Sequence, residues 1–124
     1  MRGALTFSEM PAAARFQIAV LGPILVGAIC GFLLGESAAG WWIAQGAGAV
    51  GGIAGGLEHR GAGPGALRGL VAGILFGLGI VAADAISGDQ PQAEAPDPIA
   101  LIVPIAAVIG SGLGALGGGL RGRA

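Results

Sequence analysis

The sequence predicts an all-α, polytopic membrane protein with four glycine-rich transmembrane helices, arranged as two antiparallel hairpins in a single domain. Of the 124 residues, 54% are hydrophobic and only 10% are charged, whereas charged residues make up about 25% of a typical soluble domain. A soluble chain of this size has a large surface relative to its volume and needs more polar residues to cover it. Four apolar stretches are long enough to cross a hydrocarbon core of about 30 Å.

The four predicted spans are separated by short connections. They cover residues 16–35, 41–57, 67–86 and 98–120. The second is the weakest, because glycine and alanine replace strongly apolar side chains there. A cleaved signal peptide is the alternative for the first span, but its apolar stretch exceeds the usual length of roughly 7–15 residues, which favours a retained helix. The outer loop, residues 87–97, is acidic and proline-rich, and we expect it to be irregular and exposed.

Aromatic and proline residues mark positions along the spans. Trp41 and Trp42 stand where the second span enters the membrane, and indole rings favour the interface. Pro23 and Pro104 fall inside the first and fourth spans. Each removes a backbone donor, so each is predicted to kink its helix.

The distribution of arginine predicts the orientation, because two of the three connections between the spans contain no arginine. The basic residues are all arginines: Arg2, Arg15, Arg60, Arg68, Arg121 and Arg123. The first and third connections carry only acidic charge: Glu36, Asp89, Glu94 and Asp97. Positive charge stays on the cytoplasmic side, so both termini and the middle connection are predicted to be cytoplasmic. A chain rich in glycine and alanine and without lysine, asparagine or tyrosine suggests a GC-rich bacterial genome, hence the inner membrane.

Glycine recurs every four residues in each span, so that it lines one face of a helix. The predicted packing positions are Gly27, Gly31 and Gly35, then Gly48, Gly52 and Gly56, then Gly69, Gly73 and Gly77, then Gly110, Gly114 and Gly118. Gly51 and Gly55 extend the second face, and Ile53, Leu57 and Leu113 are placed on the opposite sides of their helices. Helices in lipid associate through close backbone contact, which glycine permits. A weak similarity between residues of the two halves also suggests a parallel internal duplication.

Five polar residues are candidates for a site. Glu36, Gln45 and Asp84 lie near the predicted outer ends and supply the oxygen ligands that hard cations prefer; the alternative is that the two carboxylates only reach interfacial water. Glu58 and His59 lie at the cytoplasmic end of the second span, where such a pair can relay protons or sense pH. The alternative for that pair is solvation or interaction with nearby arginines.

Several classes of function are disfavoured. The G-x-G-x-x-G pattern at residues 46–51 lacks the preceding strand and the later acidic residue of a dinucleotide site, so no cofactor is predicted. His59 and Cys30 are the only residues of their kinds, which disfavours a metal site, a disulfide and a catalytic triad. A net charge of −1 gives no basic face for nucleic acid.

These observations predict a non-enzymatic membrane protein that acts through helix packing. Its partners are the lipid bilayer, further copies of itself and other membrane subunits, so it is either a homo-oligomer or an accessory subunit of a larger complex. The alternative is a small channel or transporter for cations or small solutes. An adaptor for soluble partners ranks third, since the cytoplasmic connections are short.

Overall fold

The computed structural model describes residues 11–88 and 90–123, and all regular structure within them is helical. Arg2 and Asp89, both used above to predict orientation, lie outside these residues. The four long helices are α1 (Ala12–Glu36), α2 (Ala38–Gly56), α3 (Ala62–Ser87) and α4 (Ile102–Arg123), and a 3-10 turn, Ile99–Leu101, leads into α4.

Three of the helical segments are long and apolar enough to cross a membrane. They are Ala12–Glu36, Ala62–Ser87 and Ile99–Gly122, with 25, 26 and 24 residues and mean hydropathies of 2.4, 2.1 and 2.3. Helix α2 has 19 residues, which is enough length, but it is not one of the three. Its glycines, its two tryptophans and Gln45 dilute its apolar character. The chain therefore has the helices of a membrane protein, with three candidate spans where the sequence predicted four.

A single residue, Ser37, connects α1 to α2. Its extended backbone (φ −160°, ψ 124°) ends one helix and starts the next, and its Oγ accepts a hydrogen bond from the Gly40 N–H at 3.1 Å. Serine suits this position because a helix begins with backbone donors that have no partner within the helix. Helix α2 consequently starts at Ala38, three residues before the predicted boundary.

The second connection is shorter than predicted, because α3 begins at Ala62 rather than at residue 67. Pro64 is the third residue of α3, where a backbone N–H would have no intrahelical acceptor, so proline costs nothing there. Gly61 precedes the helix with φ 117°, a conformation that side chains disfavour. Its N–H donates to the Gly118 carbonyl oxygen at 2.8 Å, which ties the connection to α4.

The two prolines predicted to kink their helices are accommodated in different ways. Residues Gln17–Leu21 of α1 form a π-helical segment just before Pro23. The wider π turn suits a position where proline cannot donate and its ring would crowd the carbonyl four residues earlier. Pro104 is the third residue of α4, not an interior one. The start of an α-helix tolerates the missing donor, so the reason for predicting a kink at Pro104 does not apply there.

The four helices pack around a common centre. Helix α3 packs on α1 and, most closely, on α4; α2 packs on α4 and meets α1 next to their connection. Helices α3 and α4 are antiparallel, since Gly69 faces Gly110 and Gly73 faces Ala106. Helices α1 and α3 run in the same direction, as do α2 and α4.

One buried cluster closes the end of the bundle near Ser37. It consists of Cys30, Leu34, Trp41 and Ile80, here called the end cluster. Ala93 and Ala95 of the outer loop pack against it, and the Gln92 N–H donates to the Leu34 carbonyl oxygen at 2.7 Å. The loop is irregular, as predicted, but it covers this cluster instead of being exposed throughout.

The two tryptophans have different environments. Trp41 is 3% exposed and belongs to the end cluster, whereas Trp42 is 59% exposed. Their rings meet edge to face, with centroids 6.5 Å apart. Trp41 therefore faces the other helices, and the location of the two rings at the membrane interface stays a prediction.

Candidate functional site

Helices α3 and α4 meet backbone to backbone along glycines. A Cβ built on Gly69 would overlap the Gly110 carbonyl oxygen and lie 3.1 Å from the Gly114 Cα, inside the roughly 3.5–4.0 Å at which carbon atoms pack well. The glycines in such contacts are Gly65, Gly69 and Gly73 of α3 and Gly110, Gly114 and Gly118 of α4. Gly77 continues the row, since its Cβ would be 2.8 Å from the Val103 Cα.

Helix α1 approaches α3 in the same manner. Gly27 lies against the Phe76 carbonyl and Gly31 against that of Ile80, with the Ala83 Cβ 2.8 Å from the Gly31 Cβ position. Gly35 is half-buried. The contact between α1 and α3 is thus also built on glycine, and Leu34 and Ile80 of the end cluster add side-chain packing between the same two helices.

Helix α2 uses its glycines less uniformly. Gly56 lies against the Gly114 backbone, whereas Gly52 meets only the Leu113 side chain, at 3.2 Å. Leu113 therefore faces α2, and its placement on the opposite side of α4 was wrong. Gly51 has no atom of another helix within 4 Å of its Cβ position, so it does not extend this contact.

Two other α2 glycines face α3 instead of α4. The Cβ position of Gly48 is 3.4 Å from the Phe76 ring, and that of Gly55 is 3.9 Å from the Arg68 Nη2. The Ile53 carbonyl lies against Gly117 of α4. The backbone of Ile53 thus takes part in the contact with α4 that the sequence assigned to the glycines alone.

A cavity of about 480 Å³, here called the central cavity, lies between the four helices. Its lining residues from α3 are buried or half-buried and form its floor: Arg68, Gly69, Ala72, Gly73 and Phe76. Its exposed lining residues come from the other three helices and from the connection between α2 and α3, and they form its rim: Ile18, Val26, Ala47, Gly51, Ala54, Glu58, Ile105 and Ile109. The cavity uses the halves of α1 and α2 that lie away from Ser37.

Three polar side chains line this otherwise apolar cavity: Gln45, Glu58 and Arg68. The Nε2 of Gln45 is buried and has no hydrogen-bond partner among the described residues. Glu58 is exposed at the rim, while Arg68 is half-buried and its guanidinium reaches α2 next to Gly55. The cavity therefore has one amide and two opposite charges in apolar surroundings.

The three residues predicted to form an outward cation site are not gathered in this cavity. Gln45 lines it, but Glu36 is exposed and Asp84 is half-buried, and neither of the two lines it. No cluster of three or more metal-ligating side chains occurs within residues 11–88 and 90–123. The arrangement thus associates Gln45 with Glu58 and Arg68 instead of with the two other carboxylates.

Glu58 and His59 face different cavities. His59 is half-buried, its Nδ1 is buried without a hydrogen-bond partner in the described part of the chain, and it lines a second cavity of about 260 Å³ with Arg68. Arg68 lines both cavities. Arg68 was predicted to mark the cytoplasmic side and to lie near the pair; its position inside the predicted third span, next to Leu67, was the signal that it faces the interior.

Comparison with known proteins adds no relative to these observations. No known protein family matches the sequence, and no curated protein or solved structure matches it either.

Proposed function

We propose that the chain is a small, non-enzymatic integral membrane protein that acts through tight helix packing, as a homo-oligomer or as an accessory or assembly subunit of a larger membrane complex. The observation that carries this proposal is the composition of α2. Its exposed face includes Ile43 and Val50, at 74% and 69% exposed, yet α2 is not among the three segments that are long and apolar enough to cross a membrane. A helix of this kind is better accommodated against protein than against lipid.

A small channel or transporter for cations or small solutes is the second candidate. The central cavity favours it, because polar residues within a membrane domain commonly mark a solute pathway. Gln45, Glu58 and Arg68 would then be the residues that a passing solute meets, and Glu36 and Asp84 would lie outside its path.

Native mass spectrometry of the chain purified in gentle detergent tests the first proposal. We expect stoichiometric foreign subunits or a defined homo-oligomer. Val50→Trp on α2 should dissociate this assembly, because the larger side chain disrupts a close contact between subunits. Val108→Trp on α4 is the matched control, since Val108 is 73% exposed, and it should leave the assembly intact. A monomer would contradict the proposal. Flux of potassium, sodium or protons into liposomes containing a pure homo-oligomer, above that of empty liposomes, would support a cation channel or transporter, and no such flux for any of the three would exclude it.

The proposed location is a bacterial inner membrane that all four helices cross, with both termini cytoplasmic. In intact cells, Glu94→Cys should react with a membrane-impermeant maleimide and Ala62→Cys should not. Both positions are exposed, and the native Cys30 is fully buried, so the unmodified chain serves as the blank. Labelling at position 62 but not at 94 would contradict the proposal. It would mean that the orientation is inverted or that α2 does not cross.

A further inference from the structure

The central cavity has the size and lining of a small-molecule site. Such sites occupy about 300–1,000 Å³ and are mostly apolar with a few placed polar groups. The volume of about 480 Å³ lies in that range, and the lining is apolar except for Gln45, Glu58 and Arg68. Residues of all four helices line the cavity. It is therefore formed by the packing of the helices and not by a single loop.

Gln45 supplies the polar contact that an occupant can use. A buried donor without an acceptor is uncommon in folded proteins and requires an explanation, and the Gln45 Nε2 is such a donor in the described residues. Because Gln45 also lines the cavity, a rotation of its terminal amide would bring the N–H, now buried, toward an occupant. An oxygen atom of that occupant, in a carbonyl, ether or hydroxyl group, would accept this hydrogen bond.

The charges of the lining favour an uncharged occupant. Glu58 and Arg68 carry opposite charges on the same cavity, so together they add no net charge to the lining. An ionised ligand would lose its hydration without a surplus of opposite charge to replace it.

We infer that the central cavity binds a largely apolar, uncharged molecule that carries a hydrogen-bond acceptor for Gln45. Both the bilayer, through an acyl chain and its ester carbonyl, and a free apolar solute can supply this chemistry. The inference is independent of the assembly proposed above, because a monomer that binds such a molecule would contradict only the assembly.

Benzophenone is a suitable probe, because it has an apolar body and one carbonyl acceptor and crosslinks to nearby C–H bonds on irradiation. We expect it to label peptides of the cavity lining in the purified chain. Gly51→Phe and Gly22→Phe should each reduce this labelling about tenfold or more, because the ring occupies the pocket. Both glycines line the cavity and have no atom within 4 Å of their Cβ positions, so a side chain can begin at either position without a clash at its Cβ. Gly112→Phe is the matched control, at an equally open position outside the cavity.

Gln45→Leu tests the polar contact. We expect the apparent affinity for benzophenone to fall about 3- to 10-fold, as loss of one neutral hydrogen bond would cause. Competition by diphenylmethane, which lacks the carbonyl, should be the same in both chains. Equal benzophenone affinity in the two chains would contradict the role of Gln45.

Two further results test the inference as a whole and identify the natural occupant. Label spread over exposed residues such as Ile43 and Val108, and unchanged in Gly51→Phe and Gly22→Phe, would overturn the inference. An organic extract of the purified chain identifies the source of the natural occupant: phospholipid retained by the native chain but not by Gly51→Phe assigns it to the bilayer, and another retained apolar species assigns it to a free solute.

Discussion

Replacing Gly114 by alanine is expected to lower the free energy of unfolding by about 2–3 kcal/mol, the upper part of the range for overpacking. The added Cβ would overlap the Gly65 carbonyl oxygen and lie 3.0 Å from the Gly69 Cα. Both are backbone atoms of α3, so no rotamer change relieves the overlap and the two helices must separate. Thermal unfolding in detergent, followed by circular dichroism, measures the effect.

Gly112→Ala is the matched control for this substitution. It lies two residues away on the same helix, is exposed, and has no atom within 4 Å of its Cβ position. We expect no loss of stability and a gain of up to about 1 kcal/mol, because alanine is the better helix former. Equal losses at both positions would show that the close contact between α3 and α4 does not contribute to stability.

Leu34→Ala is expected to cost about 2–4 kcal/mol, within the range for large-to-small substitutions in a core. Leu34 is fully buried in the end cluster, where the outer loop also packs. Its removal leaves a cavity among Cys30, Trp41 and Ile80, whose side chains lose their van der Waals contacts whether the surrounding solvent is water or lipid. Unfolding by increasing denaturing detergent, monitored by tryptophan fluorescence, reports on this cluster directly.

The same substitution at Leu25 provides the control. Leu25 is on the same helix and 62% exposed, so Leu25→Ala should change the free energy of unfolding by about 0.5 kcal/mol or less. A similar loss at both positions would mean that the end cluster is not a packed core.

The features that depend on local geometry were the ones that could be predicted from the sequence. Apolar stretches of helical length indicated the helices, because helix length and hydropathy are properties of a continuous segment. The four-residue spacing singled out Gly114 and not Gly112, and the structure places the first against backbone and the second in open space. A fixed helical repeat is sufficient for that distinction.

The features that depend on how helices are arranged could not be predicted. Leu113 was placed away from the packing side, but α4 contacts two helices, and Leu113 faces the second of them. Gln45 and Glu58 were recognised as polar candidates, yet their joint cavity exists only because α1 and α2 leave room between the halves that lie away from Ser37. No pattern along the sequence indicates how far apart α1 and α2 lie in those halves.

The contact between α3 and α4 also limits how this sequence can change over time. In an interface made of side chains, enlargement of one residue can be compensated by reduction of its partner. At Gly65, Gly69 and Gly114 the partner is the main chain itself, which no substitution makes smaller. Every amino acid other than glycine adds at least a Cβ, so no single substitution at these positions leaves the contact unchanged. A descendant of this chain must either keep these glycines or change the spacing of the two helices.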